Sequence, residues 1–266
     1  MKSTPARTAL ITGASTGIGF ELSHIFAQEG YNLIIVARNE IRLKNLAKEI
    51  EKKYGNKVAV MAQDLSKANS PEELYQKVKK AKLNVDILVN NAGFATYGKF
   101  ASTDLNVELE MIQVNITTLT HLSKLFLRDM VKQNSGKILN VASTAAFQPG
   151  PLMAVYFATK AYVLSFSQAL QNELTGTAIS VSALCPGPTA TQFSERAKMG
   201  KSKLFQNQIM DAKTVAQQGF EGLMKNKAII IPGFKNRLLV FSERFTPRSL
   251  VIKLVRKIQE EEKSAD

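Results

Sequence analysis

The chain has 266 residues, 45% of them hydrophobic, and carries 35 Lys+Arg against 22 Asp+Glu for a formal charge of +13. That length buries a full core and suits one large α/β domain or two small ones. The single cysteine, Cys185, excludes an intramolecular disulfide and points to a reducing cytosol, and two histidines offer no metal-ligand spacing. The positive charge favours anionic ligands in general. The basic residues are scattered and tryptophan is absent, so nothing marks nucleic acid.

Residues 8–12 form an apolar run of strand length, too short for a signal peptide or for the ~20 residues of a spanning helix. Thr12-Gly13-Ala14-Ser15-Thr16-Gly17-Ile18-Gly19 follows, and a helical pattern runs from Phe20 to Gly30. Strand, glycine turn and helix are the context of a dinucleotide-binding loop. Glycine lets the backbone approach a pyrophosphate, and the helix N-terminus offers N–H groups and a positive dipole end. Residues 32–37 read as a second strand buried on both faces. An NAD-selecting fold places an acid at the end of that strand. Here Arg38 follows Ala37 with no carboxylate before Glu40, which favours NADP, because a guanidinium suits a 2′-phosphate.

Helix 39–54 is charged and amphipathic, and strand 57–62 ends at Asp64-Leu65, where a carboxylate either meets an adenine amino group or caps the helix after Pro71. Helix 71–82 leads to strand 86–89 and to Asn90-Asn91-Ala92-Gly93. Helix 107–134 carries Asn115 in its interior, where asparagine is a poor helix former and usually has a specific hydrogen bond to make. Strand 137–142 ends at Ser143, helix 152–176 follows, and strand 178–184 runs into Cys185-Pro186-Gly187-Pro188-Thr189. Alternating strands and helices predict a doubly wound parallel sheet between two helical layers. Gly13, Arg38, Asp64, Asn90, Ser143 and Pro186 all fall at strand carboxyl ends, where such sheets bind ligands.

Within helix 152–176, Tyr156 and Lys160 project from one face, one turn apart. A free phenol titrates near ~10 and a free lysine near ~10.4. An adjacent ammonium favours the phenolate, and lowering a tyrosine by about three pH units needs about 4 kcal/mol. The expectation is a tyrosine activated by its lysine.

In this order, Thr12-Gly-x-x-x-Gly-Ile-Gly19, Asn90-Asn-Ala-Gly93, Asn115, Ser143, Tyr156-x-x-x-Lys160 and Pro186-Gly187 resemble the short-chain dehydrogenase/reductase family over residues 6–232. The resemblance implies a single Rossmann domain of about seven parallel strands and an NADP-dependent oxidoreductase acting on a small-molecule carbonyl or alcohol. It implies Tyr156 as general acid in reduction and Ser143 as hydrogen-bond donor to the carbonyl. Lys160 would lower the tyrosine's pKa and hold the nicotinamide ribose, and Asn115 would hold a proton-relay water. Gly13, Ser15, Thr16, Gly17, Ile18 and Gly19 would hold the pyrophosphate. Asn91, Ala92 and Gly93 would line the ribose, Asp64 and Leu65 the adenine, and Pro186, Gly187, Thr189 and Thr191 the nicotinamide side. The family usually has an aliphatic residue where Thr189 stands. Members are commonly dimers or tetramers, which implies a homo-oligomer.

The substrate pocket is expected from Phe94, Thr144 to Gln148 including Phe147, Leu152, Met153 and a lid at 190–212 bearing Phe193. It would be mostly apolar, for a ketone, aldehyde or 3-oxoacyl substrate. Beyond residue 232, a basic extension carries Val251, Leu254, Val255 and Ile258 on one helical face. That face docks on the body, on a twin subunit, or on an anionic membrane surface, which would make a cytoplasmic protein peripheral to that membrane. The alternative function is a catalytically silent NADP-binding regulator on the same fold.

Overall fold

The computed structural model describes residues 7–193 and 209–260. The chain opens β1 (Thr8–Thr12), α1 (Gly17–Gln28), β2 (Asn32–Ala37), α2 (Glu40–Tyr54), β3 (Val58–Ala62), α3 (Ser70–Lys80) and β4 (Ile87–Asn90). It continues through α4 (Leu105–Ile112), α5 (Leu119–Gln133), β5 (Gly136–Val141), α6 (Ala154–Glu173) and β6 (Ile179–Leu184). Short strands β7 (Thr189–Ala190) and β8 (Met210–Asp211) precede α7 (Ala212–Met224), β9 (Ile229–Ile230), α8 (Phe234–Ser242) and α9 (Arg248–Gln259).

Seven strands make one parallel sheet in the order β3-β2-β1-β4-β5-β6-β9. This is the doubly wound arrangement expected from the sequence, and the order reverses between β1 and β4. Successive strand residues face opposite helical layers. Ile11, Ile35, Val89 and Leu139 pack with Leu22 and Phe26 of α1, Leu43 of α2 and Phe220 of α7. Their neighbours Leu10, Ile34, Leu88 and Ile138 pack with Leu74 of α3 and with Leu122 and Phe126 of α5. Because both faces are covered, these strands read as continuous apolar runs. Local signals set the helix ends. Asn39 caps α2 by accepting from Arg42 N at 2.9 Å, and Gly55 ends it in the left-handed region at φ 76°.

Two departures from the sequence reading bear on function. The expected helix 107–134 begins at Leu105, and its hydrogen-bond pattern widens into a π segment over Gln113–Thr118, with Asn115 inside it. Such π bulges recur at functional sites. The strand pair β7–β8 was not foreseen; it ties together the two ends of the expected lid, whose residues 194–208 lie outside the described residues. Among the described residues no helix is long and apolar enough to cross a membrane.

Candidate active site

One cleft of about 1270 Å³ opens over the carboxyl ends of the strands. Its first half is built by the β1–α1 turn. Gly13 and Gly17 sit at φ +66° and +58°, conformations that side chains disfavour, and both line the cleft with Ser15, Thr16 and Ile18. Thr16 caps α1 without a side-chain hydrogen bond, and the first turn of α1 holds no acidic residue. The helix N-terminus therefore turns its N–H groups and dipole to the cleft with no acidic side chain of its own first turn competing for them. Gly19 does not line the cleft. A Cβ there would strike Asn91 Nδ2 and the Gly13 carbonyl, so its absence permits packing and not ligand contact.

Asn91 is a clamp. Its Nδ2 donates to Thr12 O at 2.9 Å and Gly13 O at 3.2 Å, while Thr12 Oγ1 accepts from the N–H groups of Asn91 and Ala92, each at 3.0 Å. The expected ribose wall at Asn91, Ala92 and Gly93 does line the cleft, but the Asn91 amide is spent on the glycine turn. At the next strand ends, Arg38, Asp64 and Leu65 line the same half. Burial raises the Asp64 carboxyl, but hydrogen bonds from Ser66 N at 3.1 Å and Ser66 Oγ at 2.9 Å, with the charges of Arg38 and Lys67, outweigh it and hold the group below its usual range. Arg38 is exposed and makes no ion pair among the described residues. A nicotinamide dinucleotide fits these groups: the N–H groups at the start of α1 would meet its pyrophosphate, and the Asp64 carboxylate and Arg38 guanidinium would flank its adenosine end.

The second half holds the catalytic candidates. Tyr156 and Lys160 are buried on α6, and the Lys160 ammonium lies 5.7 Å from the Tyr156 ring centre. Its Nζ donates to Val141 O at 2.8 Å. The structure reverses the expected direction of the tyrosine's titration. Burial pushes the phenol up to about 12, opposed by a hydrogen bond with Ser143, and Lys160 is not among the causes. The ammonium is spent on the Val141 carbonyl, and burial pulls it down to about 8. Ser143 lies two residues beyond β5 and caps the 3-10 turn Thr144–Phe147; its Oγ accepts from Ala145 N at 3.1 Å and donates to Pro186 O at 3.3 Å, which fixes the side chain at the cleft wall. Cys185, behind Lys160, is a buried thiol pushed up to about 12 by burial, so it stays neutral.

Asn115 is fully buried and does not itself line the cleft. Its side chain holds Phe94 main chain and Thr159 Oγ1, the latter at 3.1 Å. Thr159 Oγ1 donates in turn to Tyr156 O at 2.7 Å, so Asn115 supports the tyrosine's helix from beneath. Sequence reading also missed a polar layer within the core: Asn90 Nδ2 donates to Ser123 Oγ and Asn140 Oδ1, and Asn140 Nδ2 to Ser167 Oγ. The signal was the asparagine at the end of each of two apolar strands.

Pro186, Gly187, Thr189, Thr191, Phe94, Thr144, Met153 and Phe193 line the cleft as expected. Thr189 Oγ1 donates to Gly187 O at 2.9 Å, so its hydroxyl shapes its own loop. Phe147 is a correction. It packs beside Val163, Leu164 and Cys185, away from the cleft, because the short 3-10 turn Thr144–Phe147 rotates it inward. The basic and apolar residues 196–205 expected in the lid lie outside the described residues.

The C-terminal extension closes this half. Val251 and Val255 of α9 are buried against Tyr156, Met153 and Phe157, while Leu254 and Ile258 line the cleft. Tyr97 Oη donates to Gln259 O at 2.6 Å, fastening the end of α9. The apolar face read from the sequence is thus a roof over Tyr156.

Comparison with known proteins agrees with this geometry. The family model for the short chain dehydrogenases matches residues 7–201. An uncharacterised oxidoreductase of Staphylococcus epidermidis is 34% identical over 209 residues, 77% of this chain and 88% of its own. A very-long-chain 3-oxoacyl-CoA reductase of Phaeosphaeria nodorum is 34% identical over 221 residues, 75% of this chain and 65% of its own. Among solved structures, a short-chain dehydrogenase from Sphingobium yanoikuyae in complex with NADPH superposes with a TM-score of 0.81 at 30% identity, over 90% of this chain and 93% of that one. A seven-stranded doubly wound sheet, a glycine turn at its switch point and a serine, a buried tyrosine and a buried lysine at one cleft accord with that match, and the chain belongs to the short-chain dehydrogenase family.

Proposed function

We propose that the protein is an NADP-dependent reductase of apolar ketones, aldehydes or 3-oxoacyl compounds. The observation that carries this reading is the placement of Tyr156 and Ser143 at one wall of the cleft, beside the apolar side chains of Met153, Phe193, Val251 and Val255. A polar sugar would leave hydroxyls unpaired against those side chains. The S. yanoikuyae neighbour is described in complex with NADPH, and the P. nodorum relative is named for a long-chain oxoacyl substrate, which supports both halves of the proposal. Arg38 supports the 2′-phosphate, because it faces the cleft with no ion pair among the described residues to neutralise it.

When bound, the nicotinamide supplies the hydride; the protein's residues manage the proton and the charge. Tyr156 is held protonated across the neutral range by burial, so it carries the proton that a reduced carbonyl oxygen must receive. Ser143 Oγ is positioned by Ala145 N and Pro186 O, and its one proton would turn from the Pro186 carbonyl to the negative charge that grows on the same oxygen. Lys160 Nζ lies 5.7 Å from the Tyr156 ring centre and donates to Val141 O in the structure; it would favour the phenolate left after transfer by turning from that carbonyl to the tyrosine. Asn115 fixes the backbone that carries them. The buried Cys185 thiol accords with a cytosolic setting.

The test is NADPH consumption against a panel of ketones, aldehydes and 3-oxoacyl thioesters, with NADH in parallel. Tyr156→Phe is expected to lower kcat by roughly a hundred- to ten-thousandfold while NADPH still binds. Tight NADPH binding without turnover on any apolar carbonyl, or a preference for small polar sugars, would sink the proposal.

A further inference from the structure

The last helices carry an apolar surface that the catalytic cleft does not use. Phe234, Leu238, Phe241 and Phe245 are 76%, 57%, 55% and 75% exposed. Their spacing of four, three and four residues stacks them along one side of α8 and the turn that follows it. The Phe241 and Phe245 rings meet edge to face at 5.3 Å. None of the four lines the cleft; Leu239, Ser242 and Glu243 from the same segment do. The helix therefore shows one side to the substrate half of the site and the other outward. Exposed cations flank the outward side: Arg237, Arg244 and Arg248, with Glu243 the one acid between residues 234 and 248. On α9, Leu250 and Ile252 are 46% and 39% exposed and stand beside the exposed Lys253.

We propose that the stripe Phe234–Leu238–Phe241–Phe245 and its cations seat the protein on an anionic lipid surface, with the roof of the catalytic cleft facing that surface. Large aromatic and aliphatic side chains in a row, bordered by lysine and arginine, suit the boundary between headgroups and acyl chains. Charge decides against a second copy of this chain as occupant. A twofold interface brings a patch against itself, and here that would press arginine and lysine onto their like. A bilayer rich in acidic headgroups supplies the opposite sign. The surface differs from the one the sequence suggested, since Val251 and Val255 of α9 are buried in the protein's own body. An apolar substrate held in the bilayer would then reach the cleft without crossing bulk water.

Flotation of the full chain with vesicles tests this, using phosphatidylcholine alone or mixed in equal parts with phosphatidylglycerol. The comparison protein is Phe234→Ser/Phe245→Ser, whose positions are exposed and outside the cleft, with NADPH binding and circular dichroism as folding controls. The wild type is expected to float with the anionic vesicles, to stay in solution with phosphatidylcholine alone, and to release as salt rises. The variant should bind the anionic vesicles roughly tenfold more weakly or worse, with the controls unchanged. Equal flotation of both proteins, or none by the wild type, overturns the proposal. So does a wild-type dimer in light scattering that the substitutions dissociate, because a second copy would then occupy the stripe.

Discussion

Asn115 grips the main chain of Phe94 at both ends: Oδ1 accepts from Phe94 N at 3.2 Å, and Nδ2 donates to Phe94 O at 3.0 Å. The grip joins the π segment to the loop that follows β4 and holds Phe94 at the cleft wall. Asn115→Leu fills similar volume but leaves these buried groups unpaired. We expect a loss of about 2–4 kcal/mol in urea unfolding, with a fall in kcat/KM. Unchanged stability would mean that the amide is not holding the loop.

The proposed preference for NADP is tested at Arg38. Arg38→Ala removes a guanidinium whose charge-assisted hydrogen bonds are worth about 1.5–3 kcal/mol. The variant should lose roughly ten- to a hundredfold in kcat/KM with NADPH and keep its rate with NADH. Equal losses with both cofactors would place Arg38 outside 2′-phosphate recognition.

Gly19→Ala tests packing at the glycine turn. The added methyl meets the Gly13 carbonyl, a backbone atom with little freedom to move, and the Asn91 amide that clamps the turn. Overpacking of this kind costs about 1–3 kcal/mol. Since the turn it distorts lines the cleft, NADPH affinity in a fluorescence titration should fall together with stability. Full affinity at reduced stability would separate the clamp from cofactor binding.

Glu243 gives a pH signature. It lines the cleft, its Oε1 is buried without a partner among the described residues, and burial raises its carboxyl from 4.5 to about 7. A carboxyl raised on folding penalises the folded state when it ionises. The penalty is absent below about 4.5 and complete above about 7. Glu243→Gln cannot ionise, so its Tm should exceed that of the wild type at about pH 8 and converge with it at about pH 5. A constant difference at both pH values would show that the carboxyl is not buried in solution.

Most of the strand–helix alternation was legible because its signals are local. Apolar runs in 8–12, 32–37 and 178–184 are strands buried on both faces, and Pro71 marks the start of a helix. Motifs tied to strand ends were legible for the same reason, since the sheet order carries Gly13, Arg38, Asp64 and Ser143 to one edge. Phe147 was not, because a 3-10 turn changes which side of the chain faces the cleft. Nor was the weak strand β9, whose two residues join the sheet only through their pairing with β6.

By itself the sequence determined the doubly wound sheet, the glycine turn at the start of α1 and the choice of Ser143, Tyr156 and Lys160 as candidates that meet at one cleft, because hydrophobic period and motif spacing are properties of neighbouring residues. Tertiary structure decided what those groups experience. Burial, which depends on every element around α6, moves Tyr156 up and Lys160 down, and turns the lysine's proton to Val141. It also decided which apolar residues of the C-terminal extension are spent. Val251 and Val255 close over the tyrosine, whereas Phe234 and Phe245 remain exposed, a division set by how two helices lie on the sheet and not by their composition.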